Sequence, residues 1–155
     1  MDKIKNSILS RRNFIKNVSI ATAGVSVVPS HVVSGLGHTP PSDKLNIAGI
    51  GVGGMGRGNL RNMSSQNIVA LADVDWSYAK KCFDDYPKAK KYKDYRIMLE
   101  EMDKDIDAVM ISTPDHTHYV SAKDSMSAGK HIYLQKPLTH SVYESRLLTR
   151  LAARH

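Results

Sequence analysis

The chain has 155 residues, 41% hydrophobic and 24% charged, which leaves room for one domain with a proper core and excludes both a disordered protein and a complete two-domain enzyme. Its formal charge is +7, from 22 basic against 15 acidic residues, but much of the excess lies at Lys3, Lys5, Arg11, Arg12 and Lys16, and the lysines between Lys80 and Lys93 are interleaved with Asp84 and Asp85. With no recognition motif for DNA or RNA, no nucleic-acid partner is expected. Cys82 is the single cysteine and only His116 and His118 lie close together, so neither an internal disulfide nor a metal site is expected.

The first forty residues read as an address. Ser10-Arg11-Arg12-Asn13-Phe14-Ile15-Lys16 precedes a mildly apolar stretch, Val18 to Val28, shorter than the about 20 residues that a spanning helix needs. A charged start, a twin arginine and a short apolar core resemble an export signal of the twin-arginine type. The expectation is therefore a signal and linker over residues 1–40, the twin-arginine machinery as partner, a periplasmic destination and no stable membrane span. No clean Ala-x-Ala triplet marks a cleavage site, which is expected between Pro29 and Pro41.

Residues 41–155 read as alternating strands and helices. Pro40-Pro41-Ser42-Asp43 leads into an apolar strand, Leu45 to Ile50, and directly behind it stands Gly51-Val52-Gly53-Gly54-Met55-Gly56. Strand, glycine turn and helix are the layout that wraps a dinucleotide. Gly51 lets the chain turn sharply, Gly53 lets the backbone approach a pyrophosphate, and Gly56 removes a Cβ where the helix crosses the sheet. The helix opening at Gly54 and Met55 offers its N–H groups and positive dipole end to the phosphates. No Gly-Lys-Ser/Thr ending follows, so the phosphate-loop reading fails.

The helix from Met55 to Met63 and a return loop, Ser64 to Gln66, lead to a second strand, Asn67 to Ala72, closed by Asp73. A carboxylate about 20 residues beyond the turn accepts hydrogen bonds from the adenosine ribose hydroxyls. Two acids, Asp73 and Asp75, with no arginine beside them repel a 2′-phosphate, so the expected cofactor is NAD rather than NADP. Asp75 reads as the cap of the next helix.

That helix, Ser77 to Tyr86, carries Cys82 as a small packing residue and breaks at Pro87. A short third strand at Ala89 to Tyr92 precedes a helix from Asp94 through Met102, in which Tyr95, Met98, Leu99 and Met102 read as core. The fourth strand, Asp107 to Ser112, is nearly continuous in apolar residues, as in a parallel strand covered on both faces. It delivers Thr113 to His118 to the ligand edge as a loop, and a helix is expected from about Tyr119 to Gly129. His131 to Leu134 is the fifth strand and delivers Gln135-Lys136-Pro137 to the same edge; a last helix starts near Ser141. The fold class is α/β, a doubly wound parallel sheet of Rossmann type.

The order of glycine turn, Asp73, Ser112-Thr113-Pro114-Asp115-His116-Thr117-His118, Ala128-Gly129-Lys130-His131 and Gln135-Lys136-Pro137-Leu138 resembles the glucose–fructose oxidoreductase / inositol dehydrogenase / rhizopine catabolism family, Gfo/Idh/MocA. The resemblance implies an NAD-binding domain followed by a larger α/β domain with an open sheet, and oxidation or reduction of a sugar, glycoside or cyclitol at a hydroxyl or keto carbon. It assigns Lys136 to the substrate oxygen, as the catalytic residue of this chain. Thr113, Pro114, His116 and Gln135 join Gly51, Gly53, Gly54, Met55, Gly56 and Asp73 as the cofactor-binding set, with His118 as a packing or capping residue. The family has glutamate where this chain has Gln135, which keeps hydrogen bonding but carries no charge.

The family's general base comes from the second domain, and His140 and His155, at the ends of a first-domain helix, do not replace it. The 41–155 domain is expected to be incomplete at its C-terminus and inactive alone, and any homo-oligomer would form through the missing domain. Two other functions keep the same fold: an NAD-dependent glycosidase acting by transient oxidation, and a non-catalytic sugar- or nucleotide-sensing relative.

Overall fold

The computed structural model describes residues 43–154; the twin-arginine segment, most of the linker and His155 lie outside them. Five strands, β1 (Asn46–Ile50), β2 (Asn67–Ala72), β3 (Lys90–Tyr92), β4 (Ala108–Ile111) and β5 (His131–Leu134), form one sheet in the order β3-β2-β1-β4-β5. Every pairing is parallel. Such pairings require crossovers, which helices α1 (Met55–Asn62), α2 (Trp76–Asp85), α3 (Tyr95–Glu101) and α4 (Asp115–Ser127) provide. Helix α5 (Val142–Ala152) follows β5.

The period of two along the strands divides the core between the faces. Ala48 and Ile50 of β1, Ala70 and Ala72 of β2, and Val109 and Ile111 of β4 pack with Met98 and Leu99 of α3, Ala122 of α4 and Leu148 of α5. On the other face, Ile47, Leu71 and Met110 pack with Leu60 of α1 and with Ala79, Cys82 and Phe83 of α2. Both faces are covered, which is why β4 reads as a continuous apolar run. The winding direction reverses between β1 and β4, so a crevice opens beyond their C-terminal ends.

The element boundaries fall within two residues of the sequence expectation, with one exception. The third strand is Lys90–Tyr92, with Ala89 buried in the core ahead of it. The exception is α4, which begins at Asp115 and not near Tyr119, so His116 and His118 are helical rather than in a loop. The N–H and hydroxyl of Thr117 both donate to the Pro114 carbonyl, at 3.0 and 2.8 Å, and close the first turn at once. Proline tolerates this position because the first N–H groups of a helix have no intrahelical acceptor. Among the described residues no helix is long and apolar enough to cross a membrane.

Candidate functional site: a dinucleotide cleft

The glycine turn is fixed by close backbone contacts. Gly51 has φ of 72°, the left-handed region where a side chain is strained, and its N–H donates to the Ala72 carbonyl of β2 at 2.9 Å. A Cβ at Gly56 would run into the Gly51 carbonyl oxygen, so turn and helix can approach this closely only without one. No side chain caps α1 at Gly54; Gly56 N–H donates to the Gly53 carbonyl at 3.0 Å, and the remaining N–H groups of the first turn are open to a ligand or water. Asn59 of α1 donates to the Ser112 hydroxyl at 2.8 Å, tying the helix to the end of β4.

Asp73, at the end of β2, braces this turn. Its Oδ2 accepts from the N–H groups of Val52 and Gly53 at 2.9 and 3.1 Å, and its Oδ1 from Asp75 N–H at 2.9 Å. A carboxylate has about four acceptor positions. Roughly one, on Oδ1, is left for a ribose hydroxyl. Asp75 caps α2 as expected, accepting from Tyr78 N–H at 2.9 Å.

These groups line a cleft of about 480 Å³. Of the predicted cofactor residues, Gly51, Gly53, Asp73, Thr113, Pro114 and His116 line it, whereas Gly54, Met55, Gly56 and Gln135 do not. Thr113 Oγ1 is buried and has no hydrogen-bond partner among the described residues, an orphaned polar atom in the cleft wall that a bound ligand can satisfy. A cradle closed to any Cβ, uncapped helix N–H groups, a carboxylate acceptor and an orphaned hydroxyl fit an adenine dinucleotide.

The sequence reading missed several lining residues. Tyr78 lies over the glycine turn, where a Cβ at Gly53 would strike its ring and one at Gly54 its hydroxyl. Tyr95, read as core, packs partly against the core while also lining the cleft. Burial, followed by its hydrogen bond to Asp124 (2.9 Å), pushes its hydroxyl up to about 12, so it stays a donor. Lys93 contributes an ammonium 5.7 Å from the Trp76 ring centroid. Val74 and Lys93 just follow β2 and β3, and the rule that ligands gather beyond the strand ends would have found both.

At the neighbouring strand end, Gln135 N–H donates to the Ile111 carbonyl at 2.9 Å, and Gln135 Oε1 accepts from Lys136 N–H at 2.9 Å. Lys136 is exposed at this edge but does not line the cleft, and the Lys136–Pro137 peptide is cis. His116 is exposed and lies 3.7 Å from Asp115, whose other oxygen is 3.6 Å from His140 Nδ1. His118, read as a packing or capping residue, is 1% exposed, with each ring nitrogen on a carbonyl oxygen: Nδ1 on Pro137 at 2.8 Å and Nε2 on Thr113 at 2.7 Å. Among the described residues no group of three or more His, Cys, Asp or Glu is placed to hold a metal ion.

Comparison with known proteins agrees with this geometry. An inositol 2-dehydrogenase of Salmonella typhimurium is 31% identical over 94 residues, covering 57% of this chain and 27% of its own length. A glycosyl hydrolase family 109 protein of Shewanella pealeana is 28% identical over 162 residues, covering 88% of this chain and 35% of its own. The crystal structure of an NAD binding oxidoreductase from Klebsiella pneumoniae superposes with a TM-score of 0.63 at 31% identity, over 72% of this chain and 32% of that one. The chain thus spans about a third of the length of these relatives. Residues 45–155 match the oxidoreductase family with an NAD-binding Rossmann fold, and the chain belongs to that family, Gfo/Idh/MocA.

Proposed function

We propose that this chain is the cofactor-binding part of an exported oxidoreductase that moves a hydride between NAD and a hydroxyl or keto carbon of a sugar, glycoside or cyclitol. The observation that carries the reading is the convergence of the glycine turn, Asp73, Thr113 and the Lys136 loop at one edge of the sheet. Bound there, NAD supplies the hydride acceptor or donor. The turn and α1 hold its phosphates, Asp73 holds a ribose hydroxyl, and Thr113 offers its unpaired hydroxyl. The Lys136 ammonium polarises the substrate oxygen and stabilises the negative charge that develops on it. The similarity to an inositol 2-dehydrogenase supports a polyol substrate.

A second reading, an NAD-dependent glycosidase, draws support from the Shewanella relative, whose alignment covers 88% of this chain. Lys136-Pro137 favours the dehydrogenase. Full-length protein mixed with a panel of glycosides and cyclitols separates the two when nicotinamide absorbance and released aglycone are followed together. Net reduction of NAD without release is expected, abolished in Lys136→Ala; release without net reduction selects the glycosidase, and neither signal selects a sensing protein.

Export by the twin-arginine route rests on Ser10 to Lys16. Replacing Arg11 and Arg12 together by lysine is expected to strand the full-length protein in the cytoplasm, as read by cell fractionation. Undiminished periplasmic protein in that variant contradicts the route.

A further inference from the structure

The buried ring of His118 faces two groups that can only accept. Both its partners, the carbonyl oxygens of Thr113 and Pro137, lie within hydrogen-bond distance, at 2.7 and 2.8 Å. A neutral imidazole has one N–H and one bare nitrogen. In either tautomer one carbonyl would face a lone pair at this short range, inside a site 1% exposed to water. One side chain thus holds both carbonyls at hydrogen-bond range, donating to one and touching the other. Two contacts this short from one buried ring mark a group held for position.

What the ring joins gives it a role. Thr113 stands at the end of β4 in the cleft wall, and Pro137 adjoins Lys136 on the loop after β5. We propose that His118 is a positioning residue for Lys136: bridging the Thr113 and Pro137 carbonyls, it ties the cofactor wall to the lysine-bearing loop and fixes where that loop stands. A further contact of this stretch with the start of α4, His140 to Asp115 at 3.6 Å, is solvent-exposed and weak by comparison. The consequence for catalysis rests on the role of Lys136 given above; the tie itself does not, and the two fail separately.

The test reads backbone amide exchange in the full-length protein and its His118 variants. In His118→Phe, which keeps a ring and removes both ring nitrogens, backbone amide exchange of Lys136, Leu138 and Thr139 is expected to quicken about tenfold or more, with β1 and β2 still protected. His118→Gln, which keeps N–H donors, recovers part of that protection. Unchanged exchange at the Lys136 loop in His118→Phe, or equal quickening throughout the sheet, overturns the proposal. If the phenylalanine variant does not fold, His118→Gln decides: a partial loss of protection confined to the loop supports the tie, and no loss or an even loss overturns it.

Discussion

Asp73 accepts from three backbone N–H groups before any ligand arrives, so the residue proposed for the ribose also braces the glycine turn. The sequence made its position legible, because an acid closing the second strand at that spacing has few other uses. Its bracing role was not legible: spacing says where a carboxylate stands, not which backbone donors the turn directs at it. His118 was obscured for a related reason, since its two partners lie five and nineteen residues away in sequence and meet only through the sheet. Cys82 was read correctly as packing, and its chemistry follows from that. Burial, then the charge of Asp85, pushes its thiol up to about 11, against about 8.5 for a free cysteine. The folded state therefore keeps the proton at a pH where the unfolded state loses it. The stability this confers is intact below about pH 8.5 and is lost as pH rises toward 11. A thiol reagent at pH 8 is expected to find no difference between native wild type and Cys82→Ala, and a full equivalent of difference in denaturant; prompt native labelling would contradict the burial argument.

At the scale of elements, strands and helices were legible wherever a period was long enough to count. β1 and β4 stand where their apolar runs put them, while the start of α4 was missed because Thr113 to His118 has no apolar period and helical closure there depends on Thr117 bonding back to Pro114. Helix α1 offers a matched comparison between two of its glycines. A Cβ at Gly56 meets the backbone oxygen of Gly51, which cannot move without opening the turn, whereas a Cβ at Gly58 meets nothing within 4 Å. Gly56→Ala is expected to cost about 3 kcal/mol or more, as overpacking against backbone. Gly58→Ala is expected to add about 0.5–1 kcal/mol through helix propensity and a less flexible unfolded chain. Urea denaturation of the full-length protein reads both. Equal effects would show that the turn and helix are not in the contact described.

For the whole molecule, the parallel sheet and the side of the cleft were legible from alternating elements, since parallel connections of one hand leave one ligand edge. The rest of the cleft was not. Tyr78, Lys93 and Tyr95 reach it from helix α2, the loop after β3 and helix α3, and only the packed layers bring them together. Lys93 bears most directly on the cofactor, because the sequence argument for NAD weighed Asp73 and Asp75 without it. Among the lining residues Asp73 is the one carboxylate against this one ammonium, which faces the Trp76 ring, while Asp75 caps α2 beside the cleft. The account therefore stands on the relative affinity of the full-length protein for NADH and NADPH, measured by calorimetric titration at one ionic strength. NADH is expected to bind at least about tenfold more tightly, a difference of about 1.4 kcal/mol. Equal affinities, or a preference for NADPH, would contradict it and assign Lys93 to the 2′-phosphate.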